Sequence, residues 1–228
     1  MRRYIYFVFL LCCAVNLLLT SCVRQKYVVM DMVHHNPGEA MTESKFLDPS
    51  FLKKNEYGAK VFFLFEAAQF GIDWKSFDPS LFPDTTEAGR WVAEKAEIIH
   101  KKYDAAKKED LQVYCMLDML VLPSLLVEKH RTELTNEQGK LDISKPYTQL
   151  CIRELMKEMF ETFPQLDGLV IRTGETYLHD APYYVGNHPV QNGMYDHITL
   201  INLLREEVCE RRNKKLFYRT WDMGQLHS

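Results

Sequence analysis

One stretch of the sequence joins an apolar strand pattern to side chains that can do acid–base chemistry. Residues 168–171 are uncharged and rich in branched aliphatic side chains, as in a strand buried on both faces, and Arg172 and Glu175 follow directly. Tyr177 and His179 come next. In a barrel of parallel strands, the residues just past each carboxyl end form the active face. The spacing therefore predicts Glu175 as a catalytic carboxylate, with Arg172, Tyr177 and His179 contacting a ligand.

Arg172 has two interpretations at this stage. Its guanidinium could bind a carboxylate on a ligand, because its planar fork matches carboxylate geometry. It could instead pair with Glu175 and hold that carboxyl ionised, which would spoil it as a proton donor. A purely structural ion pair at the strand end stays open as well, since ion-pair networks also occupy such positions.

Further candidates lie at the ends of three other predicted strands and in one long loop. Glu66, Asp118 and Asp222 each close an apolar run, and we expect them on the same face. Each could bind ligand hydroxyl groups, pair with an arginine, or act as a second catalytic carboxylate. Trp221 also ends a strand, and Trp74 lies in the loop after the second strand. These indole rings, with Tyr177, are candidates for stacking on sugar rings.

The sequence gives no sign of a metal or a cofactor. His179 and Asp180 are adjacent, but no H-x-x-x-H pattern or carboxylate triad accompanies them. Cys115, Cys151 and Cys209 lack C-x-x-C spacing, and we expect them to be buried as small hydrophobic residues. No glycine-rich phosphate turn follows any predicted strand. We therefore expect no metal site and no cofactor.

Composition and charge narrow the class of partner. The 228 residues are 46% hydrophobic and 26% charged, which suffices for one globular core. The formal net charge is -3 and no basic run is present, so a nucleic-acid partner is not expected.

The amino terminus resembles a bacterial lipoprotein signal. Residues 1–3 carry two arginines, residues 4–19 are apolar, and Leu19-Thr20-Ser21-Cys22 resembles a lipobox. We expect residues 1–21 to be the signal peptide, Cys22 to carry the lipid, and residues 22–26 to form a tether. The anchor would place the protein in the bacterial cell envelope, where we expect the outer membrane. A plain secretory signal or a single membrane-spanning anchor is the alternative.

Residues 27–228 alternate predicted strands with predicted helices. Polar loops follow the strands, and short returns precede them, as in a (β/α) barrel. An open doubly wound sheet is the second choice. The predicted strands are 26–33, 59–65, 111–117, 167–171 and 215–221, and the main helices are 86–108, 146–163 and 197–213. The predicted fold class is α/β, the amino-terminal portion of a TIM-type barrel with about five of its eight strands.

Four segments resemble glycoside hydrolases, and most closely an α-glucuronidase-like group. They are residues 29–38, Phe65-Glu66, residues 163–168 with 172–175, and residues 217–221. The resemblance implies a glycosidase-type barrel acting on complex or acidic glycans, with Glu175 as the general acid after strand four. It also implies a second carboxylate from a strand beyond the fifth, where this chain ends.

Several outcomes follow from that shortfall in strands. The chain could be truncated, another chain could complete it, or the activity could be lost. A non-catalytic glycan-binding or interaction lipoprotein is the rival interpretation, since it needs the aromatic side chains but no second carboxylate.

Overall fold

The structure, a computed structural model, describes residues 28–31, 44–63, 66–173, 176, 178 and 181–219. Its centre is a five-stranded parallel sheet whose neighbouring strands follow chain order. The strands of this sheet are β1 (Met30–Asp31), β2 (Ala59–Phe62), β3 (Gln112–Asp118), β5 (Gly168–Arg172) and β7 (Lys215–Arg219). Within the described residues the sheet is open, with β1 and β7 at its edges, and lacks the order reversal of a doubly wound sheet.

Two short strands form a separate antiparallel pair. They are β4 (Val121–Pro123), which follows β3 after two residues, and β6 (Tyr184–Gly186), which lies in the long loop after β5. The sequence pattern predicts neither strand. Their pairing joins the segment after β3 to the loop after β5. Hydrogen-bonded strands therefore form part of the surface at the carboxyl edge of the sheet.

The helices return the chain between strands. They are α1 (Pro49–Lys54), α2 (Glu87–Lys108), α3 (Ser124–Lys129), α4 (Arg131–Leu134), α5 (Pro146–Thr162) and α6 (Met194–Leu204), which a π-helix (Arg205–Glu210) extends. Short 3-10 helices cover Lys45–Leu47 and Ala68–Gly71. None of the helices within these ranges combines the length and the apolar character needed to cross a membrane.

The sequence of helix α2 determines where the helix begins and which of its faces is buried. Thr86 caps it, because its hydroxyl oxygen accepts a hydrogen bond from the Gly89 backbone N–H at 3.0 Å. Val92, Ile99 and Tyr103 recur at helical spacing and are buried, so one stripe of the helix faces the core.

Alternate residues of the sheet enter two separate apolar clusters. Val113, Cys115 and Leu117 of β3 join the large cluster that includes buried residues of the helices. Tyr114 and Met116 point to the other face and join a small cluster with residues of β2 and β5. The sheet is therefore buried on both faces along β3, as its nearly continuous apolar sequence indicates.

The last long helix begins differently from the prediction. It begins at Met194, three residues before the predicted start at residue 197, and follows Gly193 with a φ of 62°. The buried Asp196 carboxylate accepts hydrogen bonds from the backbone N–H groups of Gln191 and Asn192, each at 2.6 Å. It therefore fixes the preceding turn instead of capping the helix.

Candidate functional site

Asp118 and Arg172 meet at the carboxyl edge of the sheet. They are the last residues of β3 and β5 and are direct partners in the parallel register, so their side chains project from the same face. Arg172 Nη2 donates to Asp118 Oδ2 at 2.7 Å, and Arg172 Nε donates to Oδ1. Both side chains are only 7% exposed. The result is a buried, bidentate ion pair with little freedom to reorient.

A small cavity lies beside this ion pair. Gln69, Phe70 and Met116 line it together with Asp118 and Arg172. Its volume of about 10 Å³ is room for about one water molecule. Gln69 is 2% exposed, and no group in the described part of the chain forms a hydrogen bond with its Oε1. A residue whose side chain carries a buried polar atom without a partner therefore lines the cavity at the strand ends.

The turn that carries Gln69 is held by the core. The Tyr184 hydroxyl donates to the main-chain carbonyl oxygen of Gln69 at 3.3 Å, and the Ala68 N–H donates to Cys115 Sγ at 3.2 Å. A Cβ on Gly71 would lie 2.8 Å from the Phe163 ring, so only glycine fits where this turn packs.

The loop after β5 is fixed by a side chain as well as by β6. Asn187 Oδ1 accepts from the Leu141 N–H at 2.7 Å, and Asn187 Nδ2 donates to the Leu141 carbonyl at 3.0 Å. This two-way contact holds the part of the loop around Asn187 against the segment at Leu141.

Two predicted ligand-contacting residues lie away from this cavity. The Glu66 carboxylate forms an ion pair with Lys102 of α2 and lines a different hollow, with Leu47 and Phe62. Trp74 is completely buried and packs against Phe77, so its ring has no exposed face for a sugar. The expectation of a sugar-stacking role is therefore corrected for Trp74, which belongs to the core. The Glu66 carboxylate is engaged by a helix, and its contact with a ligand stays a prediction.

The other predicted site residues lie outside the described residues, and their roles stay predictions. These are Glu175, Tyr177, His179, Trp221, Asp222 and the lipid-bearing Cys22.

Two polar residues at this edge were missed by sequence reasoning. Gln69 interrupts an apolar segment three residues after Glu66, which was a usable signal. Arg219 ends the described part of β7 and is the register partner of Arg172. Its position becomes meaningful only once the strand pairing is known.

The described residues offer neither a metal centre nor an activated thiol. They contain no group of three histidine, cysteine or acidic side chains arranged to hold a metal ion. Cys115 lies directly under the Gln69 turn, and burial raises the pKa of its thiol to about 12. That thiol stays protonated at neutral pH and cannot serve as a nucleophile.

Comparisons with known proteins give similarities to solved structures only. No protein-family profile matches the sequence, and no curated protein matches it. Similar solved structures include a noncanonic maltogenic alpha-amylase from Thermotoga neapolitana, at 13% identity with a TM-score of 0.46, covering 88% of this chain and 46% of that one. The galactosidase domain of an alpha-galactosidase-sucrose kinase is 12% identical with a TM-score of 0.47, covering 87% and 27%.

A third similar structure is a GH138 enzyme targeting pectin rhamnogalacturonan II. It is 14% identical with a TM-score of 0.36, and the alignment covers 65% of this chain and 18% of that one. The chain thus spans less than half the length of each of these proteins.

Proposed function

We propose that this protein recognises complex or acidic glycans at the carboxyl edge of its parallel sheet. The observation that carries the proposal is the convergence of Asp118, Arg172 and Gln69 around one small cavity at adjacent strand ends. Rigid polar groups that converge at the carboxyl ends of parallel strands are typical of ligand sites.

The acidic part of the proposal rests on a pair of arginines. Arg172 and Arg219 are register partners at this edge, so two guanidinium groups start from adjacent strands on the same face. Arginine binds carboxylates through paired hydrogen bonds, so two arginines at this edge favour a ligand that carries a carboxylate, such as a uronic acid.

Hydrolysis is the second half of the proposal, with Glu175 as the general acid. Glycoside hydrolysis needs a proton donor and a second carboxyl group about 5–9.5 Å away across the sugar. Asp118 is poorly suited to be that second group, because both of its oxygens accept hydrogen bonds from Arg172. This observation favours the alternative function, in which the protein binds glycans without cleaving them.

One experiment separates the two functions. The full-length chain and its Glu175→Gln variant are incubated with neutral and uronic-acid-capped oligosaccharides, and both binding and reducing-end release are measured. Release by the wild type that is lost in the variant supports the enzyme with Glu175 as its acid. Binding without release supports the non-catalytic protein, and equal release by both chains removes Glu175 from the mechanism.

The proposed location is the bacterial envelope, with a lipid on Cys22. Cells expressing the chain would incorporate a clickable fatty-acid analogue into it, and Cys22→Ala would abolish that labelling. Labelling that persists in the variant would refute the anchor.

A further inference from the structure

We propose that Gln69 forms a subsite for a single hydroxyl group of a bound sugar, beside the ion pair between Asp118 and Arg172. This inference rests on the proposed glycan recognition and specifies one contact within it. Gln69 would touch the ligand directly, through the carbonyl oxygen of its side chain.

The first step is the unpaired acceptor. Gln69 Oε1 is buried and lacks a hydrogen-bond donor among the described residues, although its own main-chain carbonyl receives the Tyr184 hydroxyl. Buried polar side-chain atoms nearly always have a partner, and beside the cavity at the strand ends a bound ligand can supply the donor that Gln69 Oε1 lacks. A hydroxyl group supplies one O–H donor.

The second step is the size of the space. The cavity of about 10 Å³ admits one oxygen-sized group, and Phe70 and Met116 line it on the apolar side. A sugar hydroxyl is about the size of the single water molecule that such a volume can hold, and it supplies the same O–H donor. A carboxylate or an acetamido group is too large for it.

The third step is charge. An anion would be repelled by the side-chain carbonyl oxygen of Gln69, which is partly negative, and by the negatively charged Asp118 carboxylate. A cation would meet the guanidinium of Arg172, which is held in place by its two bonds to Asp118. A neutral donor avoids both repulsions, and a hydroxyl is the neutral donor that carbohydrates present in quantity.

The fourth step is rigidity. Gln69 lies in a 3-10 turn whose four residues, Ala68–Gly71, are all buried. An amide fixed in this way is positioned before the ligand arrives, so little conformational freedom is lost on binding. Such a site discriminates strongly against a ligand that lacks the hydroxyl, because Gln69 Oε1 would then be shielded from water without a hydrogen-bond donor.

The test compares Gln69→Met with the matched control Gln165→Met. Gln165 also has a buried Oε1 without a partner among the described residues, but it lies in the return just before β5, at the opposite edge of the sheet. Its Nε2 donates to Asp104 Oδ1 at 2.7 Å. The control therefore removes a similar amide from a place that the proposed ligand does not reach.

The probes are disaccharides, half of them capped by glucuronic acid, together with monodeoxy derivatives that lack one hydroxyl each. Calorimetry on full-length chains gives the dissociation constants. For the wild type and for Gln165→Met, we expect one derivative to bind roughly 10- to 100-fold more weakly than its parent. For Gln69→Met, the parent and that derivative should bind equally, because the partner of the missing hydroxyl is gone.

The outcomes separate the two proposals. If Gln69→Met binds the parent and keeps the wild-type ranking of all derivatives, the subsite is refuted while glycan recognition stands. If the wild type binds no probe, glycan recognition fails and the subsite fails with it. Should Gln69→Met not fold, as judged by circular dichroism, Gln69→Asn replaces it. Its shorter side chain withdraws the carbonyl, and it should lose the same discrimination.

Discussion

Replacing one partner of the ion pair between Asp118 and Arg172 should destabilise the protein strongly. Both side chains are 7% exposed and share two parallel hydrogen bonds, so removal of either takes both of these bonds from a buried charge. Hydrogen bonds to charged groups contribute about 1.5–3 kcal/mol each, and breaking a buried pair from one side costs about 3–5 kcal/mol. We therefore expect Asp118→Leu and Arg172→Met each to lower the free energy of unfolding by about 3–5 kcal/mol.

The double variant, which carries both Asp118→Leu and Arg172→Met, tests the ion pair more directly than either single variant. With both charges replaced by apolar groups, no buried charge is left unpaired, so the loss should be smaller than that of either single variant. The free energies come from urea unfolding followed by tryptophan fluorescence, and the four chains form a double-mutant cycle.

An exposed ion pair serves as the control for this cycle. Glu97 and Lys101 of α2 are paired at 2.7 Å but are 68% and 73% exposed, so Glu97→Gln should leave the urea midpoint of unfolding nearly unchanged. The reasoning about Asp118 and Arg172 would be refuted if either single variant lost less than about 1 kcal/mol, or if the two losses simply added.

Two further predictions concern packing and acid stability. A Cβ on Gly168 would lie 2.1 Å from the Lys215 carbonyl oxygen, so Gly168→Ala should push β5 from β7 and cost about 1–3 kcal/mol in urea unfolding. If Gly168→Ala has the same urea midpoint of unfolding as the wild type, the close approach of β5 and β7 at Gly168 is contradicted. A hydrogen bond from Lys129 lowers the pKa of Asp78 from 3.8 to about 2, so its stabilisation is fully present above about pH 4 and is lost as the pH falls towards 2. Because this carboxylate is partly exposed, Asp78→Asn should remove no more than about 1 kcal/mol of acid-sensitive stability. Unfolding free energies at pH 5 and pH 2.5 check it, and equal changes in both chains would show that the pairing contributes nothing.

The regular elements with a clear period were predictable from the sequence. The helix predicted at 86–108 is observed at Glu87–Lys108, because its capping threonine and its apolar stripe are both local signals. The apolar runs of β2, β3 and β5 were also identified, since strands buried on both faces are nearly free of polar residues. By contrast, β4 and β6 are three residues each and depend on a partner about sixty residues away, so no local period reveals them.

The strand-end positions of Asp118 and Arg172 were predictable, but their pairing was not. The sequence left open whether Arg172 would bind a ligand, pair with Glu175 or form a structural ion pair at the strand end. The structure gives Arg172 a partner on the neighbouring strand, because register and not sequence distance decides which side chains meet. Trp74 illustrates the opposite failure: a loop position suggested exposure, while the loop around it folds into the core.

The buried ion pair and the unpaired amide together suggest how this edge of the sheet would select a ligand. A bidentate pair between Asp118 and Arg172 contributes little net stability compared with apolar packing, so its presence calls for a role in specificity. By holding both charges in place, it makes the wall beside Gln69 polar but nearly neutral. A neutral hydroxyl group would then be favoured over a charged group beside Gln69, as the proposed subsite requires.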